Sequence, residues 1–169
     1  MSTQRPKIEI GDCFVIPLPD GRFGYCQHVY HHQEFGYLVR VFDKITSEPL
    51  NTTAELVTAG PLFPPVFVGL RASVRSGRWK RIGSMVVKDF VFPKFRITMG
   101  TKPGTYQDWR IWDGTTTRTI GELPIPLRSL ELQSVWGDEA LEERISSGTW
   151  SSRRAKCTDS SDLCASGMA

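Results

Sequence analysis

Short apolar and aromatic runs, separated by turn signals, dominate the chain up to about residue 120. Apolar residues run from Cys13 to Leu18, and a second run rich in aromatic and β-favouring residues extends from Arg22 to Tyr30. Residues 19–21, Pro-Asp-Gly, separate the two runs, because Pro fixes φ and Gly accepts a positive φ in tight turns. We therefore predict a β-hairpin. A two-residue loop would place Cys13 opposite His28, whereas a three-residue loop would shift that register.

Further strands are predicted from β-branched and aromatic runs bounded by Gly and Pro. These strands are Gly36 to Asp43, Val66 to Leu70, Trp79 to Val87, and a second hairpin joining Gln107–Trp112 to Thr115–Ile120. Asp113-Gly114 is the turn of that hairpin, since a type I′ turn needs φ > 0 at both central residues. Trp109 and Ile111 share the face expected to meet the core, so Trp112 is expected to lie partly exposed on the polar face.

One helix is predicted near the C-terminus. Asp138 is a plausible N-cap, Leu141 and Ile145 lie four apart on one face, and Gly148 is a natural stop. The fold class expected is mainly β with a minor α component: a strongly bent antiparallel sheet or partly open barrel with one C-terminal helix. Residues 1–150 are predicted to form a single β-rich binding domain, and the polar residues 151–169 a disordered tail.

Composition and cysteine usage narrow the class of protein. The chain has 169 residues, with hydrophobic and charged fractions ordinary for a globular domain. Its N-terminus lacks a signal-peptide pattern and its longest apolar run is too short to span a membrane, so a cytoplasmic location is expected. No pair among the four cysteines has C-x-x-C spacing. We therefore expect no metal site and no cofactor.

The sequence carries no recognisable catalytic motif. It has no nucleophile elbow, P-loop, H-E-x-x-H or G-x-G-x-x-G element. His28, His31 and His32 cluster at the end of one predicted strand, where Asp12 or Asp43 could complete a metal or acid–base site. Such a site is a weaker interpretation than a surface cluster at a hairpin end. Cys26 and His28 share a strand face, but a Cys–His pair alone is a weak signal for a thiol enzyme. A non-enzymatic binding protein is expected.

Positive charge is concentrated in one segment. The segment from residue 71 to residue 96 contains many basic residues and a single acid, Asp89. The chain as a whole carries a net charge of +3. These basic residues are Arg71, Arg75, Arg78, Lys80, Arg81, Lys88, Lys94 and Arg96. Such a stripe can meet an acidic protein or a phosphate backbone, or it can simply be a solvated face. A nucleic-acid-binding β-barrel that uses this segment is the alternative function.

The opening residues resemble a known family. Residues 7–25 read KIEIGDCFVIPLPDGRFGY, similar to the G-D-x-F-x-I-P-L-x-D-G-R start typical of the immunity protein 26 family. Val68-Gly69-Leu70 and residues 77–83, GRWKRIG, resemble two later elements of that family. The tail after Trp150 has no counterpart in it. The resemblance implies a protein of bacterial polymorphic toxin systems that binds and neutralises a cognate toxin, without catalysis.

Trp, Tyr and Arg are the residues that most often anchor protein interfaces. On that basis the predicted partner-binding residues are Arg22, Tyr25, Trp79, Lys80, Arg110 and Trp112. Trp79 and Trp112 are expected at the surface because basic residues flank or lie near them. A purely structural alternative exists for each residue: Trp79 could close the barrel, and Arg22 could flank the turn.

Overall fold

The computed structural model of the protein describes residues 7–98 and 108–148. The strands are β1 (Asp12–Pro17), β2 (Phe23–His32), β3 (Gly36–Val41), β4 (Val66–Val68), β5 (Lys80–Ser84), β6 (Phe95–Thr98), β7 (Trp109–Trp112), β8 (Thr117–Gly121), β9 (Glu131–Leu132) and β10 (Val135–Trp136). The helices are α1 (Leu70–Arg75) and α2 (Asp138–Ser147), with 3₁₀ turns at Ala54–Leu56 and Ile125–Leu127.

These strands form two sheets. The first is six-stranded, in the order β10-β4-β3-β2-β1-β5, and the second is four-stranded, in the order β8-β7-β6-β9. All pairs are antiparallel except β10–β4 and β6–β9, which are parallel. Only Gln133 and Ser134 separate β9 in the second sheet from β10 in the first, so this short segment joins both sheets. The predicted mainly β class is confirmed, and the described strands do not close into a barrel.

The first hairpin has the register of the three-residue loop. Leu18 N donates to Arg22 O at 2.8 Å, which encloses Pro19, Asp20 and Gly21, and Cys13 pairs with Gln27. The register with Cys13 opposite His28 is therefore wrong. The Asp20 carboxylate accepts the Arg22 backbone N–H at 3.0 Å, which stabilises the longer loop.

The turn of the second hairpin lies one residue further along the chain than predicted. Trp112 pairs with Thr117, and Asp113 N donates to Thr116 O at 3.2 Å, which encloses Gly114 and Thr115 rather than Asp113 and Gly114. The Asp113 carboxylate accepts the backbone N–H groups of Thr115 and Thr116 at 3.0 and 2.8 Å, and these bonds hold its pKa well below its usual range. This side-chain capping favours the turn that closes at Thr116 over the predicted Asp113-Gly114 loop.

Two predicted strands are shorter in the structure. The strand expected from Val66 to Leu70 ends at Val68, because Leu70 begins α1. The strand expected from Trp79 to Val87 extends only from Lys80 to Ser84, where its pairing with β1 ends. The short helix α1 was not anticipated from the sequence.

Helix α2 covers one face of the first sheet. Leu141 and Ile145 are buried in the same cluster as Phe14 and Ile16 of β1, as their spacing predicts. A Cβ on Gly24 would lie 2.9 Å from Ile145 Cγ2, so this glycine permits the close approach of helix and sheet. Gly137, rather than Asp138, is the N-cap, and the predicted stop is confirmed at Gly148, which has a left-handed φ of 61°.

Candidate protein-binding cleft at the edge of the first sheet

A cleft of about 600 Å³ opens beside the β1–β5 edge of the first sheet. Its apolar floor comes from strands β1, β2 and β5: Val15, Pro17, Phe23 and Ile82. The loop 49–51 forms a wall of the cleft, and the segment 77–81 contributes a rim. The floor exists because residues that alternate along paired antiparallel strands share a face, and this face is apolar.

Tyr25 holds the loop wall in place from below. Its side chain is fully buried, its hydroxyl lies 2.5 Å from Thr46 Oγ1, and it accepts the Leu50 backbone N–H at 3.0 Å. Thr46 Oγ1 donates to Glu48 O at 2.6 Å, so the Tyr25 hydroxyl is the donor toward Thr46. Tyr25 therefore shapes the cleft from beneath and offers no contact surface of its own.

Trp79 is part of the core beneath the rim. It is 1% exposed, and its Nε1 donates to Glu142 Oε1 of α2 at 2.8 Å. Arg78 donates to the same carboxylate through Nε at 2.8 Å and Nη2 at 2.6 Å, which raises the pKa of Arg78. The expectation of a surface Trp79 is wrong, because helix α2 covers it.

Positive charge lies along β5, at the edge of the cleft. The Arg81 guanidinium donates to Asp12 Oδ1 at 2.7 Å, and Asp12 Oδ2 accepts the Glu9 backbone N–H at 2.9 Å. Lys80 is exposed at the start of β5, opposite Val15, and pairs with no acid in residues 7–98 and 108–148. The sheet edge thus presents both cations to solvent.

Arg22 lies next to the Phe23 end of the cleft floor. Its guanidinium donates to Asp20 Oδ2 from Nε at 2.9 Å and from Nη2 at 2.7 Å, and Ser146 of α2 donates to the same oxygen at 2.8 Å. These bonds hold the pKa of Asp20 well below its usual range and raise that of Arg22. Arg22 is exposed but locally ordered by this network.

The two remaining predicted residues lie on β7, in the other sheet. Arg110 donates to Asp108 at 3.2 Å and keeps about a third of its side chain exposed. Trp112 is 7% exposed and packs among the rings of Phe67 and Phe95 between the sheets. The expectation that Trp112 lies partly exposed is therefore wrong.

The structure thus brings four of the six predicted residues to one region. Arg22, Tyr25, Trp79 and Lys80 surround the β1–β2–β5 end of the first sheet, and of these Arg22 and Lys80 are exposed. Sequence reasoning missed Thr46, Leu50 and Glu142, which position the cleft. Their contacts join residues 21 to 63 positions apart, and no local pattern marks such pairs.

The three histidines have different surroundings in the structure. His28 is buried with Nδ1 2.9 Å from Glu9 O and Nε2 3.0 Å from Tyr30 O, and burial lowers its pKa. The His31 ring packs on Tyr37, and the His32 ring on Phe35 and Trp112. In the part of the chain that the structure describes, no three metal-ligating side chains come together.

The two cysteines of the first hairpin are buried free thiols. Burial raises the pKa of Cys13 to about 11 and raises that of Cys26 as well. A thiol with a raised pKa is protonated at neutral pH and is a poor nucleophile. This environment is that of a structural cysteine.

None of the described helices combines the length and apolar composition needed to cross a bilayer.

Comparison with known proteins identifies the family. The model of the family described as immunity protein 26 matches residues 9–107, more than half of the chain. The chain belongs to the immunity protein 26 family. No curated protein and no solved structure matches it significantly. The matched residues of this immunity-family chain include β1 to β6 and the whole lining of the cleft, whereas α2 lies outside the match.

Proposed function

We propose that this protein neutralises a protein toxin by binding it and blocking its action in the cytoplasm of a bacterial cell. The observation that carries the proposal is membership of the immunity protein 26 family over residues 9–107. The cleft at the β5 edge lies within that matched region, so it is the surface we assign to the partner.

The geometry suits tight binding without catalysis. Tyr25 fixes the loop wall, and Glu142 fixes the rim through Arg78 and Trp79. A surface that is already ordered loses little conformational entropy when a partner binds, which favours affinity. Exposed cations such as Arg22 and Lys80 accelerate encounter with a partner of complementary charge.

The predicted binding residues take different roles in this proposal. Lys80 contacts the toxin directly, because it is exposed and lines the cleft. Arg22 is exposed next in sequence to the floor residue Phe23 and contacts the toxin at the margin of the surface. Tyr25 and Trp79 act as positioning residues beneath it. Contacts through Arg110 and Trp112 stay a prediction, which Arg110→Ala tests because its side chain reaches the surface.

The alternative of a nucleic-acid-binding protein gains no specific support. The basic residues of segment 71–96 are divided among α1, β5, β6 and their connections. Arg78 and Arg81 are paired with acids, and the Arg71 guanidinium lies over the Tyr37 ring. Nucleic-acid binding therefore serves as the competing outcome of the test.

The test is a pull-down of the tagged protein from its native cell lysate at low and high salt, with mass spectrometry and nucleic-acid staining. We expect one stoichiometric protein, encoded by the neighbouring gene, that is retained at high salt. Mixed nucleic acid that is lost at high salt would overturn the proposal, because phosphate-driven binding falls steeply with salt.

A further inference from the structure

Strand β5 ends the first sheet with one side unpaired. β1 occupies its inner side, and no strand of residues 7–98 and 108–148 pairs with its outer side. An edge strand of this kind presents backbone N–H and C=O groups that another extended segment can bind. The cleft floor lies directly beside it, since Ile82 of β5 belongs to that floor.

The charges at this edge are asymmetric in their exposure. Arg81 has 52% of its side chain exposed, whereas its partner Asp12 has 3%. Arg78 differs, because besides the buried Glu142 it also pairs with Asp138 and Glu139, which are 33% and 79% exposed. The outward positive charge at this edge therefore comes from Arg81, whose carboxylate partner lies beneath it. Lys80 adds an exposed charge with no acidic partner in the described part of the chain.

These features select one kind of occupant. Exposed Lys and Arg side chains and a bulge near Cys13 and Phe14 discourage indiscriminate strand pairing at this edge. A segment that carries carboxylates turns the same cations from repulsive groups into attractive ones. Lys80 pairs with Val15 of the apolar floor, whereas Arg81 pairs with Phe14 on the other face of the sheet. A strand added here places one carboxylate and one apolar side chain on the face of the floor and a second carboxylate on the opposite face.

We propose that the partner binds by strand addition: an extended, acidic segment of the toxin pairs with the outer edge of β5. Its carboxylates meet Lys80 and Arg81, and an apolar side chain enters the cleft over Ile82. This inference rests on the proposed function, since it names how and through which chemistry the toxin is recognised.

The experiment uses the purified toxin domain encoded by the neighbouring gene and the full-length chain. Lys80→Glu reverses the charge at this edge that has no acidic partner among residues 7–98 and 108–148 and, as an exposed substitution, should leave the unfolding midpoint unchanged. We expect its Kd to rise at least about 10-fold, because like charges face each other in the complex. Lys80→Arg, and Arg118→Glu on the edge strand β8, should bind within about 2-fold of the wild type.

Amide hydrogen exchange separates strand addition from side-chain contact alone. On complex formation, the alternate amides of residues 80–84 that point away from β1 should gain protection of at least about 10-fold, because they become hydrogen-bonded. Another outcome is a complex in which the newly protected amides lie outside residues 80–84 and Lys80→Glu binds like the wild type. In that case strand addition is wrong and the proposed function stands. If no complex forms with the toxin domain, both are wrong.

Discussion

The indole Nε1 of Trp79 donates a 2.8 Å hydrogen bond to Oε1 of Glu142, and both side chains are buried. Glu142 lies on α2, outside the family match, whereas Trp79 lies inside it. The Glu142 carboxylate therefore connects Trp79, inside the region matched by the family, to helix α2, which lies outside that region. This contact keeps Trp79 away from the surface.

Glu142→Ala should destabilise the protein. It leaves the Trp79 N–H buried without its acceptor, and a buried unpaired donor costs about 1–3 kcal/mol. The free energy of unfolding in urea, followed by Trp fluorescence, measures this loss. Glu143→Ala, an exposed position on the same helix, is the matched control and should change stability by less than about 0.5 kcal/mol. Equal effects of the two substitutions would contradict the assigned contact.

A chain that ends at residue 107 should not fold, although it contains the whole family match. It lacks β7 and β9, which flank β6, and also α2, whose Leu141 and Ile145 fill the first core cluster. We expect no cooperative unfolding transition by circular dichroism. A chain that ends at residue 150 is the control and should unfold like the full-length protein; residues 149–169 lie outside the described residues. A cooperative transition of the 107-residue chain at the wild-type midpoint would disprove this dependence.

Local patterns predicted the parts of the fold that depend on near neighbours. The turn at residues 19–21 and the buried pair Leu141 and Ile145 follow from turn chemistry and helical spacing. Trp79 and Trp112 were misplaced because their burial depends on elements far away in the sequence, α2 and the aromatic cluster between the sheets. A short helix such as α1 lacks the length for a clear periodic signal.

The thiols of Cys13 and Cys26 should be unreactive in the folded protein. Both are buried, and burial raises both pKa values, so little reactive thiolate forms at neutral pH. The measurement is titration with a thiol reagent in a Cys157→Ser, Cys164→Ser background, before and after denaturation. Both thiols should react only after denaturation. Fast reaction of either in the native state would revive a thiol-enzyme interpretation.

His28 should make the protein sensitive to mild acid. Burial lowers its folded-state pKa below the ordinary value of 6.5, so the unfolded chain binds the proton more readily. Its contribution to stability is then fully present above pH 6.5 and is lost as the pH falls toward the lower folded-state pKa. Unfolding midpoints between about pH 8 and 5 test this.

His31→Gln is the matched control for that titration, because His31 is exposed and lies beside the His28 ring. It should retain the acid-dependent loss of stability, whereas His28→Gln should flatten it. A profile that His28→Gln leaves unchanged would assign the acid sensitivity to other groups.

Co-expression with the product of the neighbouring gene tests the central claim most directly. Growth of bacterial cells is measured with that product alone, with the wild-type chain added, and with the Lys80→Glu variant added. The account predicts that the product alone arrests growth, that the wild-type chain restores it, and that Lys80→Glu restores it less well. A toxic product whose effect the wild-type chain leaves unchanged would contradict a neutralising role.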